Sequence, residues 1–123
     1  MDYPKVLNLS LPKTGSTSIY QAFREYGATH EGFHDVTINK IIDYHEGSIS
    51  CRQLSAFLTR RQNLLKTTID SNTFLHLIPN EIEALYPTAT VFVQVIRHPC
   101  HWARSYLSML HEVGRHVVNS QNL

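Results

Sequence analysis

Residues 5–11 (KVLNLSL) are mostly apolar and β-compatible, and they stop at Pro12 in a run of small residues. Ile19, Ala22, Phe23 and Tyr26 then recur at helical spacing up to Gly27, so the chain opens as strand, loop and helix. Ile38, Ile41 and Ile42 predict a second helix ending near Gly47. Ser50 and Gln53 form a capping box ahead of Leu54, Phe57 and Leu58 in a third, and the two read as an inserted helical pair. Residues 64–69 (LLKTTI) predict a second strand, followed by a helical stretch to Tyr86 that Pro79 either interrupts or restarts from its first turn. Residues 90–96 (TVFVQVI) predict the strongest strand, apolar on both faces as a central strand covered by helices should be. Pro99 marks the next helix start, and Trp102, Tyr106, Met109 and Val113 give it an apolar stripe expected to pack on the sheet.

Strands alternating with helices imply a three-layer α/β fold, a P-loop-like parallel sheet flanked by helices with right-handed crossovers. Three strands are legible, and ligands in such folds bind beyond the strands' carboxyl ends. A chain of 123 residues fits a single domain, here residues 1–123, and 42% hydrophobic against 17% charged residues excludes overall disorder. The formal charge of +1, with no long basic run, excludes a dedicated nucleic-acid binder, so any anion site is local. Cys51 and Cys100 lie too far apart in sequence to argue a disulfide framework or a four-cysteine zinc site, and a reducing, cytoplasmic setting is the expectation. Nowhere do ~18 consecutive apolar residues occur, and the N-terminus has no apolar signal region, so no membrane partner is expected.

Two loops fall at the expected ligand end. Leu11-Pro12-Lys13-Thr14-Gly15-Ser16-Thr17-Ser18 joins the first strand to the first helix, where backbone N–H groups and the positive helix end attract phosphate or sulfate. Gly15 lets the backbone come close, Lys13 adds a mobile cation, and Ser16, Thr17 and Ser18 add hydroxyl donors. The plainer alternative is a capped turn serving only the helix. The nucleotide-kinase P-loop does not fit, because its Lys follows the second glycine whereas Lys13 precedes Gly15. Arg97 follows the last strand, with Pro99 two residues on and Ser105 eight residues on. A helix starting near Pro99 carries Ser105 toward the side of Arg97, a possible two-point phosphate clamp; the alternative is an edge arginine and a solvent-facing serine.

In these two stretches the chain resembles the sulfotransferases that use 3′-phosphoadenosine 5′-phosphosulfate (PAPS). Their Pro-Lys-x-Gly-(Thr/Ser)-Thr loop is matched by Pro12-Lys13-Thr14-Gly15-Ser16-Thr17. Their Arg-x-Pro stretch with a later Ser is matched by Arg97, Pro99 and Ser105. The order of elements between them agrees as well, and His30-Glu31, the region of Asp70-Ser71 and the Tyr-Pro before the last strand look closest to a bacterial-type branch. The resemblance implies that Lys13 stabilises the bridging oxygen, that Thr14, Gly15, Ser16, Thr17 and Ser18 hold the 5′ side of PAPS, and that Arg97 and Ser105 hold its 3′-phosphate. It implies no metal, and an acceptor hydroxyl or amine on an unidentified small molecule or glycan.

Cytosolic members carry Lys-Thr-His at the end of the strand after the helical insert. The matching run here is Lys66-Thr67-Thr68, so Thr68 stands in place of the catalytic His. Asp70, His30 and Glu31 are the substitute bases, with Asp70 alternatively a cap for the next helix. His101 replaces an acid common in relatives, and Ser18-Ile19 replaces a Trp. Family domains run to about twice this length and add a basic, glycine-containing loop, whereas GRHVVNSQNL ends this chain. The expectation is a domain truncated at its C-terminus, with an open sheet edge inviting a second copy. A non-catalytic nucleotide-binding remnant remains an alternative. So does a metal-dependent hydrolase using His30, Glu31 and His34, which spell HExxH but are interrupted by Gly27 and Gly32. His98, Cys100 and His101 read as helix-end or loop groups rather than ligands.

Overall fold

The computed structural model describes the backbone of residues 3–121 and side chains through residue 113. Val6–Asn8 form β1, and the chain turns at Gly15 into α1, Ser16–Phe23. A 3₁₀ turn at Arg24–Tyr26 ends on Gly27, whose φ of 80° needs the left-handed region, and leads into β2, Ala28–His30. Helices α2 (His34–His45) and α3 (Cys51–Leu65) form the expected pair, and the Ser50–Gln53 capping box is made in both directions, at 3.2 and 2.8 Å. Then come β3 (Ile69–Ser71), a 3₁₀ turn (Leu75–Leu77), α4 (Pro79–Leu85, with proline in its first turn), β4 (Val91–Val93) and α5 (Pro99–Gln121).

The four strands pair in parallel in the order β2-β3-β1-β4, so the architecture is α/β with an all-parallel sheet flanked by helices. Leu7 in β1 and Ile41, Leu54, Leu58, Phe74, Ile78 and Ile82 from the helical side make the core on one face, while Ile19 and Phe23 of α1 lie over the other. Burying each such aliphatic side chain contributes about 1.5–3 kcal/mol. Tyr86 closes the core, its phenol receiving an N–H from Gln62, and burial raises its pKa so that it stays protonated.

Several expectations are corrected. Residues 64 and 65 belong to α3, which ends on Lys66 in the left-handed region, so β3 starts later than the LLKTTI run suggests. β2 is a fourth strand, unread because three residues are too few to show an alternation. β4 is an edge strand among the described residues, not a central one: it pairs only with β1 there, and Val91 is 57% exposed. The stripe on α5 does not lie along the sheet throughout. Trp102 turns to the loop after β1 and stacks on Tyr106 at 5.2 Å, and Val113 at the far end of the stripe is exposed.

Candidate functional site

The loop after β1 is shaped by its backbone. Lys13 (φ 63°) and Gly15 (φ 104°) both take left-handed conformations, and for Lys13 this costs on the order of 1 kcal/mol. A Cβ on Gly15 would meet nothing within 4 Å, so the glycine is required by its φ and leaves an open face at the start of α1. No side chain caps α1, and its first-turn N–H groups point to that face. Thr14 is buried and spends its hydroxyl on the Leu11 carbonyl at 2.5 Å, so it closes the turn and offers an anion its backbone rather than its hydroxyl. Ser16 is buried as well, whereas Lys13, Thr17 and Ser18 are exposed.

Beneath the loop lies a polar lattice that holds it. Asn8 Nδ2 donates to Ser71 Oγ at 3.2 Å, and Ser71 Oγ donates to the Ser16 carbonyl at 2.7 Å, tying the start of α1 to the end of β3. On the other side Asn8 Oδ1 accepts from the Ser10 backbone at 3.2 Å and from its hydroxyl, and Ser10 Oγ accepts from Val95 N–H at 2.8 Å. Three polar side chains, all fully buried, would cost several kcal/mol unpaired; here each is satisfied.

The segment after β4 docks on this loop. Trp102 Nε1 donates to the Pro12 carbonyl at 2.7 Å and Arg97 Nη1 donates to the Lys13 carbonyl at 3.0 Å, so two donors grip consecutive carbonyls. Between them is a cleft of about 230 Å³, lined by Leu11, Thr14, Arg97, Pro99 and Trp102 among others. Ser105 is half-buried three residues past Trp102, on the same side of α5. His98 precedes Pro99, and its Nδ1 accepts from the Cys100 N–H at 3.2 Å, which makes it the helix cap.

Of the candidate bases, His30 is brought to the loop. It ends β2, its Nε2 is 3.3 Å from Thr17 Oγ1, its ring stacks on Tyr20 at 5.9 Å, and its enclosed Nδ1 has no partner among the described residues. Glu31 follows at φ 50°, and its Oε1 accepts from Thr73 Oγ1 at 2.6 Å. Asp70 is not brought there. It is 0% exposed, and its carboxylate takes Arg61 at 2.7 and 3.3 Å with Asn72 and Gln62 nearby, so no lone pair is left to remove a proton from a substrate. Nor does it cap the next turn; Asn72 Oδ1 does, accepting from Leu75 N–H at 3.0 Å.

The Lys66-Thr67-Thr68 run is corrected too. It lies at the entrance of β3, where Thr67 Oγ1 donates to the Gly27 carbonyl at 2.7 Å, and residues 72 and 73 are the ones that emerge at the ligand end. The HExxH stretch is no helix: His30 ends a strand, Glu31 and Phe33 have positive φ, and His34 opens α2, so the two histidines share no helix face. Among the described residues no three His, Cys, Asp or Glu side chains gather as for a metal ion, and no helix is long and apolar enough to cross a membrane.

Asn8, Ser10, Ser71, Arg61 and the indole of Trp102 are the functional supports that sequence reasoning missed. The available signal was polarity inside apolar runs, at Asn8 and Ser10 of KVLNLSL. Arg61 carried none, since it sits in a polar stretch of α3 yet is buried and also donates to the Gly32 carbonyl at 3.0 Å. A family profile described as "Sulfotransferase domain" matches residues 5–122. No curated protein and no solved structure matches the chain.

Proposed function

Because this chain belongs to the sulfotransferase domain family, we propose that it moves a sulfuryl group from 3′-phosphoadenosine 5′-phosphosulfate to an acceptor hydroxyl or amine. The observation that supports this reading is the pair of hydrogen bonds from Arg97 and Trp102 to the Lys13 and Pro12 carbonyls, which brings the glycine-bearing and arginine-led stretches together beside one cleft. At about 230 Å³ the cleft is smaller than the ~300–1,000 Å³ of sites that enclose a whole small molecule, and suits one phosphorylated end of a nucleotide.

In this reading the 5′-phosphosulfate lies on the open face of Gly15, on the N–H groups at the start of α1, and Arg97 with Ser105 takes the 3′-phosphate. The acceptor oxygen or nitrogen attacks sulfur in line, the bond from sulfur to the phosphate oxygen breaks, and the acceptor proton passes to His30, beside Thr17. Lys13 meets the charge left on the departing phosphate. The products are the sulfated acceptor and adenosine 3′,5′-bisphosphate. Glu31, one residue on and held by Thr73, is the second proton acceptor to test. The site, the single domain and a cytoplasmic setting belong to the same proposal.

Calorimetry of the whole chain with adenosine 3′,5′-bisphosphate should give one site, and Lys13→Ala should abolish sulfuryl transfer while leaving the fold intact. Unchanged turnover in Lys13→Ala rejects its role. His30→Gln should remove the acid limb of the pH–rate profile; if Glu31→Gln does so instead, the base is Glu31.

A further inference from the structure

Among the described residues β2 is an outer strand of the sheet and pairs only with β3. The bonds of that pair alternate along the strand. The Gly27 carbonyl accepts from the Ile69 N–H at 3.4 Å and the Glu31 N–H donates to the Ser71 carbonyl at 2.8 Å, with Thr29 between them in register with Asp70. Residues 27, 29 and 31 therefore turn their main-chain groups to β3, and Ala28 and His30 turn theirs to the open side. Among the described residues no group outside the strand bonds to the N–H or carbonyl of Ala28 or His30.

An open groove of about 440 Å³ follows this edge, lined by Tyr20, Ala28, Thr29, His30, Gly32 and Leu65. Tyr20 belongs to α1 and Leu65 to the end of α3, and these helices cover opposite faces of the sheet, so they form the two sides of the groove with the strand edge as its floor. Leu65 is fixed there by close packing on Gly32, where a Cβ would collide with its Cδ1. Ala28 is 8% exposed whereas Thr29 and His30 are half-buried, so the groove opens toward the end of β2. Unpaired donors and acceptors at every second residue, between flanking side chains from two layers, match one kind of ligand. A peptide backbone presents the complementary groups at the same spacing.

We propose that the β2 edge docks an extended polypeptide as a further strand, and that the side chain opposite His30 is the serine or threonine that receives the sulfuryl group. The sheet fixes which way that side chain points. Ala28 is in register with Ile69 and Val6, which lie under α1, so Ala28 and His30 look to the α1 face. The residue opposite His30 looks the same way, its Cβ ~4.5–5.5 Å from that of His30, and meets His30 Nε2 and Thr17 Oγ1, which are 3.3 Å apart. Its two neighbours turn to the other face, against Leu65, and should be apolar. The fate of the hydroxyl rests on the sulfuryl-transfer reading, whereas the docking of the strand does not. The hydroxyl oxygen attacks sulfur, the bond from sulfur to the phosphate oxygen breaks, the hydroxyl proton passes to His30, and adenosine 3′,5′-bisphosphate leaves.

The test uses the whole chain and the capped peptide acetyl-Lys-Thr-Val-Ser-Val-Thr-Lys-amide. Amide hydrogen exchange followed by NMR should be fast at Ala28 and His30 in the free protein and slow by at least about tenfold with saturating peptide, while Thr29, already bonded to β3, changes less. The same peptide N-methylated on its serine and both valines keeps the side chains and loses the backbone donors, and it should bind at least about tenfold more weakly. In a transfer assay with PAPS the peptide serine should be sulfated, with a KM at least about tenfold below that of N-acetylserine amide, which carries the hydroxyl without the strand. No slowing at Ala28 and His30, equal affinity of the methylated peptide, or an equal KM for N-acetylserine amide overturns the proposal. So does protection of these two amides in the free chain that disappears on dilution, because a second copy then fills the groove. Calorimetry with adenosine 3′,5′-bisphosphate on the same sample separates the two readings. Peptide protection without bisphosphate binding sinks the transfer and sustains the docking; bisphosphate binding without peptide protection does the reverse.

Discussion

The two flanks of the sheet are built on different physics. On the β2–β3 flank the contacts are buried and charged: Arg61 holds Asp70 through two bonds, reaches the Gly32 carbonyl in the turn after β2, and lies over the Phe74 ring at 5.5 Å. On the β4–α5 flank they are exposed and few: Ile96 is 87% exposed, and Arg97 and Trp102 reach the loop across its surface. The loop after β1 lies between them. One wall fixes where His30, Glu31 and the start of α1 stand, and the other can adjust its grip without disturbing the core. A buried, charged flank beside an exposed one lets the outer contacts of the loop change at low cost to the core.

The sharpest way to break the contrast is Asp70→Asn. It leaves the Arg61 charge buried without its counter-ion, and such losses cost about 3–5 kcal/mol, enough to unfold a marginal domain of this size. Urea titration should show a large fall in midpoint. Replacing Arg61 and Asp70 together by apolar residues should recover much of it, because the pair's own desolvation then disappears. A midpoint within error of wild type in Asp70→Asn would mean that the β2–β3 flank is not the stiff one.

Arg97→Ala is the mirror experiment on the other flank. Its side chain is exposed, so stability should change by only ~0.5 kcal/mol, while affinity for adenosine 3′,5′-bisphosphate should fall roughly tenfold to a hundredfold, the loss expected for charge-assisted hydrogen bonds. Calorimetry and urea titration on the same sample read the two effects separately. If stability falls and affinity holds, Arg97 is a strut rather than a phosphate ligand.

How much of this was legible in the sequence divides along the same line. The gripping wall was readable because its signals are local: Pro12-Lys13-Thr14-Gly15 in one turn, Arg97 and Pro99 in another, and a capping box at Ser50. The stiff wall was not. Asp70 looked like a base because it stands just past a predicted strand, and only the long-range partner Arg61, nine residues back on a neighbouring helix, turns it into a structural anion. Likewise β2 is three residues long, and β4 reads as a buried strand by composition although its outer side has no neighbour among the described residues. Hydrophobic pattern reports what a strand can tolerate, whereas its place in the sheet depends on partners distant in the chain.

Trp102→Phe isolates a smaller piece of the gripping wall. The ring's stacking on Tyr106 can be kept while the N–H to the Pro12 carbonyl is lost, a neutral hydrogen bond worth about 1 kcal/mol. Bisphosphate affinity should drop about fivefold, with the drop confined to a faster off-rate, since the loop is then held by Arg97 alone on that side. An unchanged off-rate would show that the loop's shape comes entirely from the Asn8, Ser10 and Ser71 lattice beneath it.

The smallest effect is one of pH, at His76 in the 3₁₀ turn before α4. The folded-state pKa of His76 is lowered by burial, so as pH falls below about 6.5 the unfolded chain takes up a proton at this position before the folded one does. The unfolded state then binds more protons, and stability must fall with falling pH until the folded pKa is passed, below which the loss is constant. The sequence has eight histidines, so the readout is the difference between wild type and His76→Gln, measured by urea titration from pH 7.5 to 5. Wild type should lose more than the variant across that range. A steeper acid limb in the variant would mean that the fold holds His76 charged rather than neutral.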